Sequence, residues 1–111
     1  MTQIGHFTRN KSGFTGRIQT LFLSRDLALI PAEPSDADNA PDYRIYMGDA
    51  DGVEIGAGWK RTGEKAGEYI SLVIDDPALV QPIRANLFQS GAGKSAWVLN
   101  WNRPLERGKR D

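Results

Sequence analysis

The sequence predicts a small all-β domain, an antiparallel curled sheet or barrel with at most one short helical turn. Apolar and polar residues alternate with period two along much of the chain, which is typical of half-buried strands. Turn sequences rich in Gly, Asp and Ser separate these segments. No segment holds three turns of helical period, and the twelve glycines disfavour a long helix. An oligonucleotide-binding-type barrel is one candidate, and a sandwich is another.

Eight segments carry the strand pattern. Residues 53–60 alternate most clearly, which predicts one shared face for Val53, Ile55, Ala57 and Trp59. Four further strands are expected at residues 4–9, 14–23, 27–30 and 83–88. In the three other alternating segments, the residues expected to share a face are Tyr43, Ile45 and Met47; Ile70, Leu72 and Ile74; and Trp97, Leu99 and Trp101.

The connections between these strands read as turns and loops. Asp76 before Pro77 is the one helix-start signal, and Pro82 ends that segment within about one turn. Residues 31–42 hold three prolines and four acidic residues, which predicts a mobile surface loop. We expect a single domain over residues 1–104 and a disordered basic tail at 105–111. Hairpin connections are expected at residues 11–13, 49–52, 62–67 and 90–93.

Composition limits the possible classes of function. The 111 residues are 40% hydrophobic and 25% charged, as in an ordinary globular domain. Fourteen basic residues balance fourteen acidic ones, so attraction to nucleic acid would need a local patch. The chain has no cysteine, and it shows neither a signal-peptide pattern nor an apolar stretch of membrane-spanning length. We therefore expect a cytoplasmic protein with no membrane partner.

Two short motifs resemble parts of known ion or phosphate sites. Residues 91–95 end in Gly-Lys-Ser like a phosphate-binding loop, but Phe88 stands where its first glycine belongs and an alternating strand follows. Residues 49–52 resemble part of a calcium loop, but Gly58 stands where the bidentate glutamate belongs. Both motifs are better explained as turns between strands.

No catalytic group can be assembled from these residues. His6 is the single histidine, so we expect a strand or surface histidine and not a metal ligand or general base. Asp75 and Asp76 are adjacent, which in a strand places them on opposite faces, and Asp76 is also a candidate cap before Pro77. We expect no enzyme activity, no metal site and no cofactor.

A basic and aromatic constellation is the strongest candidate site. Trp59, Lys60 and Arg61 precede a hairpin that contains Lys65, and Tyr69 follows it. Aromatic faces beside cations on neighbouring strands are typical of proteins that bind single-stranded nucleic acid. The alternative is that Trp59 belongs to the core and that Lys60 and Arg61 form a solvated strand edge. Arginines that would extend the patch are Arg44, Arg84 and Arg103.

Motifs spread from residue 4 to residue 104 resemble the bacterial family called Domain of Unknown Function 736. The resemblance implies a short bacterial protein, commonly of proteobacteria and often encoded near plasmid or integrative-element genes. It implies no agreed activity and no catalytic residues. The segments that carry it are residues 4–8 (Ile-Gly-His-Phe-Thr), 13–21, 40–44, 54–60, 68–72, 75–77, 82–87 and 101–104 (Trp-Asn-Arg-Pro).

Two hypotheses of function follow. The first is a non-catalytic module that binds single-stranded nucleic acid, in the mobile-element context that the resemblance implies. The second is a protein-interaction module, an adaptor or inhibitor, that acts through a strand edge or through the 31–42 loop. The neutral net charge fits the second better.

Overall fold

A computed structural model describes residues 2–11, 13–21, 23–64, 67–91 and 95–101. These residues form antiparallel strands that close into one barrel, and they include no helix. In chain order the strands are β1 (Thr2–Asn10), β2 (Gly13–Gln19), β3 (Ser24–Pro31), β4 (Tyr43–Met47), β5 (Glu54–Gly63), β6 (Gly67–Ile74), β7 (Ile83–Gln89) and β8 (Ala96–Trp101).

The barrel has the simplest possible topology. Each strand pairs with the next one along the chain, and β8 returns to pair with β1. The predicted all-β antiparallel barrel is therefore confirmed. It differs from an oligonucleotide-binding-type barrel, which has five strands in a Greek-key order, because here eight strands follow one another without a crossover.

All eight predicted strands are present, and the largest error in their bounds concerns β2. The apolar pattern predicted a strand over residues 14–23, whereas β2 ends at Gln19. Beyond it, the Thr20 N–H donates to the Leu23 carbonyl oxygen over 2.7 Å, which turns the chain into β3. A turn that itself carries apolar residues cannot be recognised from alternation alone.

The core is the interior of the barrel. Eight strands enclose a space just wide enough to be filled by side chains. Leu29, Ile45, Leu72, Leu87 and Leu99 are 0% exposed. The three shared faces predicted for the segments 43–47, 70–74 and 97–101 are confirmed, with Met47 and Trp101 packed against the edge of the core.

The shared face predicted for β5 is wrong, because the strand contains a β-bulge. Ile45 pairs with Gly56 but Tyr46 pairs with Glu54, so the register shifts at this point and Ile55 is left over. Beyond the bulge, Gly58 pairs with the inward-facing Leu72. The extra residue inverts the alternation, so Ile55 faces the core whereas Trp59 faces outward.

The bulge also sets the direction of Lys60. It pairs with Ile70, a buried residue of β6, and cross-strand partners lie on the same face of a sheet. Lys60 therefore points towards the barrel interior, at the point where that interior opens to solvent. Val53, which was expected on the core face, precedes β5 and is 67% exposed.

The 31–42 loop lies on the surface as expected and is anchored to β5. The Trp59 Nε1–H donates to the Asn39 carbonyl oxygen over 2.9 Å. The Lys60 backbone N–H donates to Asp42 Oδ2 over 2.8 Å. Asn39 has a φ of 62°, a left-handed conformation that Asn tolerates better than most residues. The loop thus covers the outer side of Trp59.

The one expected helical turn is absent, and residues 76–79 instead form a hydrogen-bonded turn between β6 and β7. Asp76 caps it, since its Oδ2 accepts the Ala78 N–H over 2.9 Å and its carbonyl oxygen accepts the Leu79 N–H over 2.8 Å. The predicted tail at 105–111 lies outside the described residues. Across the residues that the model does describe, no helix has the length and apolar character needed to cross a membrane.

Gly16 of β2 provides a test of the close packing. A Cβ at this position would overlap the His6 carbonyl oxygen and the Phe7 ring, and the strand pairing prevents that backbone from moving away. We expect Gly16→Ala to lower the free energy of unfolding by about 2 kcal/mol, within the usual range for overpacking. Urea denaturation measures this change.

The control for Gly16→Ala is Gly91→Ala. A Cβ at Gly91 would meet no described residue within 4 Å, and its φ is not in the left-handed region. We expect a change within about 0.5 kcal/mol. Equal losses from the two substitutions would contradict the close approach of β1 to Gly16.

Candidate nucleic-acid interface

One end of the barrel gathers cations and aromatic rings. We call it the upper end; β1, β3, β5 and β7 finish there, and the other four strands begin there. It contains a cleft of about 260 Å³. The residues that line the cleft are Arg9, Tyr43, Lys60, Arg61, Thr62, Glu68, Tyr69, Ile70 and Trp97.

Two aromatic side chains from distant parts of the chain, Tyr43 and Trp97, form the floor of the cleft, and Phe14 packs against both. The Phe14 ring contacts Tyr43 edge to face, with 5.7 Å between ring centroids, and Trp97 in the same manner at 5.1 Å. All three are buried. Edge-to-face geometry aligns the positive edge of one ring with the negative face of another, so the floor is a cohesive unit.

Two cations lie over this floor. The Arg9 guanidinium carbon is 5.5 Å from the centroid of Phe14 and 5.9 Å from that of Trp97. Lys60 Nζ is 5.8 Å from the centroid of Tyr43. These distances are within the range of cation–π attraction. The aromatic floor therefore holds both cations at the mouth of the barrel.

The mouth carries excess positive charge. Three basic side chains and one acidic side chain, Glu68, line the cleft, a formal surplus of two positive charges. Within the described ranges, the ion pairs are Arg17 with Asp26 at 2.7 Å and Arg44 with Glu54 at 2.8 Å, and neither involves a residue of the cleft. The positive surplus is therefore local to the cleft, because the 31–42 loop, which joins β3 to β4 at the same end of the barrel, carries four acidic residues.

An aromatic pair lies on the outer surface beside the rim. Arg61, Tyr69 and Phe88 follow one another across β5, β6 and β7 as cross-strand partners. The rings of Tyr69 and Phe88 are 5.3 Å apart and inclined by 32°. Both side chains are half-buried. One cation and two partly exposed rings therefore form a continuous row on the outer face.

Comparison with known proteins identifies the family. A family model described as "Protein of unknown function (DUF736)" matches residues 3–104. The chain belongs to this family. The match includes nearly all of the barrel, so the upper end lies within the part of the chain that the family model covers. Neither the comparison with curated proteins nor that with solved structures gave a match.

In this DUF736 chain, three of the predicted site residues meet at the cleft. Lys60 points into the mouth, whereas Arg61 and Tyr69 form the rim and the outer face. Trp59 is on the outer face too, half-buried beneath the 31–42 loop through its bond to Asn39. The alternative interpretation of Trp59 as a core residue is wrong, because the bulge turns it away from the interior.

The remaining predicted residues are not brought to the cleft or are not described. Arg84 lies on the outer face of β7, where it pairs with Val73, and it does not line the cleft. Arg44 is engaged in its ion pair with Glu54. Lys65 and Arg103 lie outside the described residues.

His6 and residues 49–52, which the sequence also singled out, do not line the cleft. His6 is an exposed residue on the outer face of β1. Residues 49–52 form a turn in which Asp49 accepts the Gly52 N–H through its carbonyl oxygen over 2.9 Å. The Ser90 N–H donates to the Ala96 carbonyl oxygen over 2.7 Å, which continues the β7–β8 pairing, while residues 92–94 lie outside the described ranges.

Arg9 and Phe88 are site residues that sequence analysis missed. Arg9 pairs with Phe14 on the inward face of β1, two residues after the buried Phe7. Nothing in the sequence placed it beside Lys60, because that proximity depends on barrel closure. Phe88 was recognised as a strand residue, and only the β6–β7 register places it against Tyr69.

The anchoring of the 31–42 loop can be tested at Asp42. Asp42→Ala removes the acceptor for the Lys60 N–H, and we expect it to lower the free energy of unfolding by about 1 kcal/mol. Asp42→Asn retains an acceptor oxygen and should lose less. Chemical denaturation followed by tryptophan emission measures both.

Asp38→Ala is the matched control in the same loop. Asp38 is exposed and makes no ion pair with another described residue. We expect almost no change in stability. A loss as large as that from Asp42→Ala would show that the contact with Lys60 is not what anchors the loop.

Proposed function

We propose that this protein binds single-stranded nucleic acid at the upper end of the barrel. In this proposal Arg9, Lys60 and Arg61 contact phosphates, and Tyr69 and Phe88 provide stacking faces for bases. The observation that carries the proposal is the position of the outer aromatic pair directly beside the cationic cleft.

The row formed by Arg61, Tyr69 and Phe88 favours a single strand over a duplex. Bases of a single strand are free to stack on aromatic side chains while cations follow the phosphates. In a duplex the base faces are already stacked on each other, so Tyr69 and Phe88 would have nothing to bind. Arg61 lies beside Tyr69 across the β5–β6 pairing, so a cation suited to a phosphate adjoins a ring suited to a base.

The balance of charge implies moderate, salt-dependent affinity. The net charge of the chain is zero, so attraction comes from the local surplus at the cleft. Three phosphate contacts on a single strand correspond to a slope of about −2 in a plot of log affinity against log salt.

The second candidate is a protein-interaction module that uses the 31–42 loop. Glu33, Asp36 and Asp38 are exposed there, and none of them pairs with a cation among the described residues. A basic protein surface would complement them. Addition to a strand edge has less support, because each of the eight strands has hydrogen-bonded neighbours on both sides. A partner that co-purifies after nuclease treatment and high salt would favour this candidate.

Leucine substitutions test the stacking surface. Tyr69→Leu and Phe88→Leu retain apolar contact but remove the aromatic face, so each should weaken binding of a single strand of about 15 nucleotides by at least fivefold. Fluorescence anisotropy of an end-labelled oligonucleotide, at several salt concentrations, measures the affinity and the slope.

Paired arginine substitutions test the cationic part. Arg61→Gln should weaken binding and reduce the salt slope by about 0.7, the value for one phosphate contact on a single strand. Arg84→Gln makes the same change of charge away from the cleft and should leave the slope unchanged. Equal effects of the two would indicate that only total charge matters, and the proposed surface would be wrong.

A further inference from the structure

Building on the proposed function, we propose that the cleft binds a phosphomonoester, namely the terminal phosphate of the single strand. The protein would then recognise phosphorylated strand ends in preference to internal positions. The observations that carry this inference are a closed floor, a small volume and two inward-pointing cations without a carboxylate partner among the described residues.

The shape of the cleft admits the end of a nucleic-acid strand and not a strand that passes through it. Its floor is the buried Tyr43 and Trp97, supported by Phe14, and the layers below are filled by fully buried residues such as Leu29 and Leu99. A polynucleotide that passes through a site needs an entry and an exit. At about 260 Å³ the cleft is smaller than most pockets for drug-sized ligands, so it suits a single small group.

The charge of the cleft fits a dianion. An internal phosphodiester carries one negative charge, whereas a phosphomonoester carries about 1.5 to 2 at pH 7. Arg9 and Lys60 both face the interior, and neither makes an ion pair within the part of the chain that the structure describes. A doubly charged group is the ligand that would compensate both at once.

The way the two cations are held also suits phosphate. The Arg9 guanidinium carbon lies within about 6 Å of the Phe14 and Trp97 ring centroids, so cation–π attraction holds this group at the mouth of the cleft. A planar fork of N–H donors binds two phosphate oxygens together. Lys60, from β5, adds a second positive charge, and its Nζ lies over the Tyr43 ring.

Glu68 is the negatively charged side chain in the cleft, so removing its charge should change the affinity for a phosphate in the opposite direction to removing a positive charge. It is the acidic residue of the lining, and Thr62 is its cross-strand partner. A carboxylate near a bound dianion is repulsive. Removal of its charge should therefore strengthen binding of a terminal phosphate, whereas removal of a positive charge should weaken it.

The experiment compares oligonucleotides of one sequence with a 5′-phosphate, a 3′-phosphate or hydroxyls at both ends, each with an internal fluorophore. We expect one phosphorylated form to bind roughly tenfold more tightly than the hydroxyl form, the effect of one charge-assisted contact. Arg9→Gln and Lys60→Gln should each remove most of this preference, while Glu68→Gln should increase it. Arg84→Gln, outside the cleft, should retain it.

The outcomes separate this inference from the proposed function. Equal affinity for all three oligonucleotides, with binding that still depends on Tyr69, would overturn the terminal-phosphate site and leave the stacking surface intact. Absence of binding to all three would overturn both. A nucleoside monophosphate that binds as tightly as the phosphorylated strand would assign the cleft to a free phosphomonoester and overturn recognition of strand ends. Thermal unfolding of each variant verifies that it folds.

Discussion

The pairing of β1 with β8 is the constraint on which the rest of the structure depends. Residues of the first and last described strands pair from Thr2 with Trp101 to Thr8 with Ala96. This contact converts a meander, which would have two exposed edges, into a ring with none. It also encloses the core, because side chains such as Phe7 and Trp97 face an interior only when the sheet closes.

Closure also creates the candidate site. Arg9 comes from β1 and Lys60 from β5, on opposite sides of the ring. Tyr43 and Trp97 join them from β4 and β8, with Phe14 of β2 packed against both rings. Two cations at one mouth repel each other, and this repulsion grows as the dielectric constant falls. Cation–π contacts of about 0.5–2 kcal/mol offset part of the cost without neutralising the charge. A positive site therefore persists on a protein whose net charge is zero.

The upper end combines two kinds of surface with different chemistry. Inside the rim, buried rings support cations above a closed floor. Outside it, Tyr69 and Phe88 are half-buried and form an aromatic pair on the barrel wall. The β5 bulge separates them: it turns Lys60 into the mouth and leaves Arg61 on the wall, so adjacent residues of one strand serve both surfaces. One continuous ligand can therefore place an anionic group in the cleft and planar groups against the aromatic pair on the wall.

The sequence by itself determined the eight strands and three of the four core faces, because alternation and turn chemistry are local properties, whereas the order of the strands came from the tertiary structure. The sequence also selected Lys60, Arg61 and Tyr69 as candidates for the site. Only the tertiary structure decided the faces of β5, since a single bulged residue inverts every later side chain and leaves no mark in the alternation. Only closure placed Arg9 with Lys60, and only the β6–β7 register placed Phe88 with Tyr69, because both depend on pairing between distant segments.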